Sequence, residues 1–140
     1  MSAIARYCRH AGLNVSGYDR TPSPVTEALE KEGIPVHFDS NVSLIPPAPE
    51  ETLVIYTPAV PSDMAEMVYV RAHGYRIVKR AEALGEITSG KRCLAVSGTH
   101  GKTTTSTMLA HILTESGEGC TAFLGGISKR LAPKLAQAAQ

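Results

Sequence analysis

The sequence predicts an α/β fold built on parallel strands with helices on both faces. Three observations lead there. Short apolar runs alternate with helix-period patterns along the whole chain. Two of the runs, 52–56 and 93–97, are almost continuously apolar, as suits strands covered on both faces. A glycine-rich loop follows the second of these runs and opens a helix. Composition agrees: 43% of the 140 residues are hydrophobic, enough for a core and too many for a disordered chain.

The elements follow in order. Residues 1–11 read as a helix stopped at Gly12, and 13–18 as a strand ending at Asp19. Ser23 before Pro24 is an N-cap with proline at the first helical position. That helix ends at Gly33, and 34–38 is a second strand. Three prolines within 45–49 make a loop, since proline cannot donate to a ladder. The run at 52–56 is a central strand closed by Pro58 and Pro61. A helix from Ser62 to Gly74 carries Met64, Met67 and Val68 at core spacing. A strand at 75–78, a short helix at 81–87, a strand at 93–97, a helix to Gly117 and a strand at 121–124 complete the series. The strands at 13–18, 34–38, 52–56 and 75–78 are expected to share one parallel sheet. The domain boundary is expected at Ser89-Gly90-Lys91.

Charge and composition exclude several classes. Fourteen basic against 13 acidic residues leave a net charge of +1, too little for a phosphate-backbone surface, so no nucleic-acid partner is expected. No apolar run reaches the roughly 20 residues of a membrane helix, and residues 1–6 lack the apolar stretch of a signal peptide. Cys8, Cys93 and Cys120 are odd in number and too far apart for a metal-ligand pair, which reads as reduced thiols of a cytoplasmic protein. His10, His37, His73 and His111 are read as surface or satisfied core positions.

The segment Gly98-Thr99-His100-Gly101-Lys102-Thr103-Thr104-Thr105 carries the chemistry. Gly98 and Gly101 let backbone N–H groups turn toward an anion, and the helix start adds free donors and a positive dipole end. Lys102 is a mobile cation for terminal phosphates, and the Thr103 hydroxyl suits Mg²⁺. The loop is a shortened form of the usual phosphate loop, because Val96 stands six positions before Lys102 where that pattern has glycine. The alternative is a glycine turn with a solvated lysine. His100 is equally suited to shaping the loop or touching a nucleotide. Asp19 and Thr57-Pro58-Ala59 fall after strands, where open parallel sheets meet ligands. Asp19 also suits a turn cap.

The stretch 95–105 resembles the ATP loop of the Mur ligases. Further similar stretches are Met1–Arg6, Val15–Asp19, Tyr56–Val60, Lys79–Leu84 and Phe123–Ser128, in the family's order. They are most similar to the alanine-adding members of the family. The resemblance implies residues 1–90 as a Rossmann-like UDP-sugar-binding domain and 91–129 as the opening of a central ATPase domain, with 130–140 an atypical tail. It also implies an ATP- and Mg²⁺-dependent ligase of peptidoglycan synthesis, acting on UDP-N-acetylmuramate and L-alanine through an acyl phosphate. Lys102 and Thr103 would then be catalytic, with Thr103 on Mg²⁺. Gly98, Thr99, His100, Gly101 and Thr104 would line the nucleotide, and Asp19, Thr57, Pro58 and Ala59 the sugar substrate. The family's first strand and Gly-rich loop are expected to be missing ahead of Met1, leaving this segment inactive by itself. Its exposed apolar surface would then seek the N-terminal sheet or a second chain. Another phosphate-loop ATPase or kinase, the related tripeptide-recycling ligase and a non-catalytic nucleotide-binding module remain alternatives.

Overall fold

The computed structural model describes residues 1–124. The expectations for residues 125–140, including the 130–140 tail, lie outside the described residues. Helix α1 spans Ser2–His10, β1 Gly17–Tyr18, α2 Pro24–Lys31 and β2 Val36–His37. A 3₁₀ turn follows at Val42–Leu44, then β3 at Leu53–Tyr56, α3 at Ala65–Ala72, β4 at Arg76–Lys79, α4 at Arg80–Thr88 and α5 at Lys102–Glu115. The chain forms two compact units. One holds Met1 and Ser16–Lys91; the other holds Ser2–Val15 and the described residues from Arg92 onward.

In the first unit the strands pair in parallel, as the alternation of strand and helix requires. β1 lies beside β2 with Tyr18 opposite His37, and β3 beside β4 with Tyr56 opposite Lys79. The expected single sheet is instead two separate two-stranded pairs. β1, β2 and β3 are also shorter than the apolar runs that announced them, while β4 keeps its length one residue later. Leu13 is exposed, and Pro35 brings only its carbonyl to β1, accepting from the Gly17 N–H at 2.9 Å. The run at 52–56 is half-buried rather than enclosed, with Leu53 41% exposed. The main core of this unit forms where α3 covers the β3/β4 pair. Met67, Val70 and Tyr75 are buried there against Val54, Tyr56 and Ile77. The Tyr75 hydroxyl donates to the Pro46 carbonyl at 2.6 Å, which fixes the proline loop over that core.

Local chemistry explains the helix starts. Ser23 caps α2 as its sequence suggests: its Oγ accepts from the Thr26 N–H at 3.2 Å, and Thr26 Oγ1 accepts from the Ser23 N–H at 2.8 Å. At α4, Glu82 Oε2 reaches back to the Lys79 N–H at 2.7 Å. In the second unit, residues 93–97 and 121–124 take no strand conformation. A strand is made by its neighbour's ladder, and the described residues pair none with either run. Leu94 is left 52% exposed.

Candidate functional site

The loop between 97 and α5 is shaped by two glycines with positive φ, Gly98 at +148° and Gly101 at +75°. Gly101 is the N-cap of α5, in the left-handed region where a side chain is strained. The first helical bond runs from the Thr105 N–H to the Gly101 carbonyl at 2.9 Å. Helix geometry therefore leaves the N–H groups of Lys102, Thr103 and Thr104 without an intrahelical acceptor. A Cβ added at Gly101 would meet nothing within 4 Å, so the space beside Gly101 is open. Lys102 Nζ turns back over the loop, donating to the Thr99 carbonyl at 3.2 Å and to the Gly98 carbonyl. Thr99, His100, Thr103 and Thr104 are exposed. Free donors, a helix dipole and one ammonium on an open glycine loop together make an anion cradle.

Nucleotide phosphates fit this cradle. Mg²⁺ is held by few protein ligands when phosphates and waters supply the rest, and the exposed Thr103 hydroxyl fits that part. Among the described residues no group of three or more His, Cys, Asp or Glu side chains could hold a metal by itself.

The other candidates lie in the first unit. Asp19 follows β1, is exposed, and its Oδ1 accepts from the Thr21 N–H at 3.3 Å, so it closes a turn. Its backbone N–H donates to the His37 carbonyl at 3.1 Å. Thr57 follows β3 and is half-buried, with its carbonyl accepting from the Val60 N–H at 3.0 Å; Pro58 and Ala59 are exposed. Both segments thus sit at carboxyl ends of parallel strands, as expected.

Neither Arg80 nor Glu66 is assigned a role from the sequence. Arg80 opens α4 directly after β4. Burial first, and Arg80 second, lower the pKa of the Met1 amine, while Asp19 opposes them. Arg80 and Asp19, each directly after a strand, thus act on the Met1 amine with opposite sign. Glu66, in the first turn of α3, accepts from His37 Nε2 at 3.0 Å and from the Asn41 N–H at 2.7 Å. Arg80 lies within the Lys79–Leu84 stretch, whereas Glu66 has no sequence signal beyond its place in the first turn of the helix that follows β3. His37, expected as a surface or satisfied core position, is half-buried and partnered.

The profile of the Mur ligase family catalytic domain matches residues 1–92. The chain belongs to the Mur ligase family. Among curated relatives, the UDP-N-acetylmuramate–L-alanine ligase of Porphyromonas gingivalis is 61% identical over 131 residues, covering 91% of this chain and 29% of that protein. The ligase of the same name from Parabacteroides distasonis is 57% identical over 132 residues. The crystal structure of UDP-N-acetylmuramate–alanine ligase from Thermotoga maritima superposes with a TM-score of 0.86 at 35% identity, over 94% of this chain and 30% of that one. A murein peptide ligase from Psychrobacter arcticus gives a TM-score of 0.80 at 31% identity, over 98% of this chain and 29% of that one. This Mur ligase chain spans about three-tenths of the length of these relatives. No helix among its described residues is long and apolar enough to cross a membrane.

Proposed function

We propose that this chain is the substrate-side and phosphate-loop portion of a cytoplasmic ligase that joins L-alanine to UDP-N-acetylmuramate at the expense of ATP. The observation that carries the reading is the open Gly98–Thr104 cradle at the start of α5 in a chain of this family. Residues 1–90 would bind the UDP-sugar, and 91–129 would open the ATPase domain.

In the reaction the muramate carboxylate oxygen bonds to the γ-phosphorus of ATP and ADP leaves. The alanine amine then attacks the acyl phosphate carbon, inorganic phosphate leaves, and an amide remains. Lys102 would move from its own loop carbonyls to the β- and γ-phosphates, neutralising charge that grows on the transferred group. The N–H groups of Gly101–Thr104 would hold the phosphate oxygens, with Gly98, Thr99 and His100 forming the loop wall. Thr103 would offer its hydroxyl to Mg²⁺, which when bound screens phosphate charge. Asp19 and Thr57-Pro58-Ala59 would contact the UDP-sugar at the strand ends.

The test is a chimera in which this segment replaces its counterpart in the Porphyromonas gingivalis ligase. Alanine-dependent ADP release with UDP-N-acetylmuramate, lost in Lys102→Ala, is the expected result. Release that depends instead on a peptide substrate would favour the murein peptide ligase reading. A well-folded chimera with neither activity would refute both.

A further inference from the structure

Glu66 stands out among the acidic residues. It occupies the first turn of α3, where a carboxylate ordinarily serves its own helix's free N–H groups. Here it turns outward instead. Its Oε1 accepts two hydrogen bonds from residues 29 and 25 positions earlier, His37 Nε2 at 3.0 Å and the Asn41 N–H at 2.7 Å. The pair is largely shielded, with side-chain exposure of 22% for His37 and 13% for Glu66. A shielded carboxylate must keep its partners, so the loop leaving β2 is held at both ends by one group.

Each partner passes that constraint on. Asn41 Oδ1 accepts from the Ser43 N–H at 3.0 Å and from Ser43 Oγ at 2.7 Å, which starts the 3₁₀ turn at Val42–Leu44. The His37 ring lies against Tyr18, with centroids 5.6 Å apart. The His37 carbonyl receives the Asp19 N–H. Glu66 therefore joins the helix that follows β3 to the carboxyl ends of β1 and β2, the edge at which parallel sheets take ligands.

We infer that Glu66 is a positioning residue for the nucleoside-diphosphate sugar, fixing Asp19 and the 38–41 loop through His37 and Asn41. The inference rests on the UDP-sugar reading above for the identity of the ligand, and its test separates the two. In the 140-residue chain, Glu66→Ala should speed amide exchange at Asn41 and Asp19 by about tenfold or more. Glu66→Gln, which keeps a carbonyl acceptor, should hold both near wild type. In the chimera, Glu66→Ala should raise the KM for UDP-N-acetylmuramate about tenfold, in line with the cost of small misplacements. kcat and the KM for ATP should stay within about twofold, and Glu66→Gln should restore the sugar KM. His37→Phe, which keeps the ring against Tyr18 but removes the donor, is the second variant should Glu66→Ala unfold, and the same KM rise is expected of it. Unchanged exchange in Glu66→Ala, or a general loss of kcat in place of a sugar-specific KM effect, would overturn the inference. An inactive wild-type chimera would count against the ligase reading alone, and amide exchange would then decide whether Glu66 holds this rim.

Discussion

Lys102 Nζ donates to the carbonyl of Thr99 at 3.2 Å, so the loop's own oxygens hold the charge that the proposed mechanism sends to a phosphate. Thr99 and Gly98, whose carbonyls accept from it, are exposed residues, and a bond between exposed groups is easily exchanged for a bound anion. Lys102→Ala in the chimera should therefore lower kcat by about 10²–10³, the range for losing one donor to transition-state charge. The folded chain should lose little stability. A denaturation curve beside the ADP-release assay checks both statements, and a Lys102→Ala chimera with near wild-type kcat would remove Lys102 from the mechanism.

Gly101 and Gly85 should respond oppositely to alanine. A Cβ has open space at both positions, so only backbone conformation separates them. Gly101 has φ +75°, where a side chain is strained, and alanine should cost about 1–2 kcal/mol there. Gly85 lies within α4 with no positive φ, and alanine should stabilise by about 0.5–1 kcal/mol. Urea midpoints of the two variants check the signs.

Ser23 and Thr26 satisfy each other's backbone N–H groups at the start of α2, and Thr26 is 2% exposed. Ser23→Ala should cost about 1 kcal/mol. Thr26→Val keeps the shape but removes the acceptor of the Ser23 N–H, and should cost a similar amount. Thermal melts would show it, and a neutral Ser23→Ala would mean that water replaces the cap.

Features set by neighbouring residues could be read from the sequence, and features set by distant partners could not. The Ser23-Pro24 cap, the stop at Gly12 and the Gly101-Lys102 helix start all appear where their residues put them. The run at 93–97 has the composition of a strand, yet the described residues give it no ladder partner, and composition carries no information about that. The Glu66–His37 contact spans 29 positions and follows no short motif. Asp19 shows the mixed case. Its turn-capping bond to Thr21 is local and was foreseeable, whereas its backbone bond to His37 depends on the pairing of β1 with β2.

The 140-residue chain by itself should show no alanine-dependent ADP release. It spans 29% of its Porphyromonas gingivalis relative, and orientation of both reactants by the whole site supplies much of the rate. ATP·Mg²⁺ should bind it more weakly than about 1 μM, or −8 kcal/mol, because a phosphate cradle holds only one part of a nucleotide. Calorimetry decides the point, and low-micromolar binding would mean that these residues already complete the nucleotide site.

The three thiols should react with iodoacetamide in a set order. Cys93 is exposed. The Cys120 thiol is within reach of the Ala110 carbonyl at 3.7 Å and lies 4.0 Å from Thr114 Oγ1, so access to it is restricted. Burial raises the Cys8 pKa above its ordinary value. Since the thiolate is the nucleophile, that rise leaves less reactive Cys8 at any given pH. Peptide mapping after brief alkylation near pH 8 should find Cys93 labelled first and Cys8 well behind. The same shift has a consequence for stability. The folded state prefers the neutral Cys8 thiol, so its contribution is complete below the unfolded pKa and declines as pH rises through the folded one. Cys8→Ser should flatten the loss of stability on the alkaline side of about pH 8.5. Cys8 labelling as fast as Cys93, or an unchanged alkaline limb in Cys8→Ser, would show that the thiol reaches water freely.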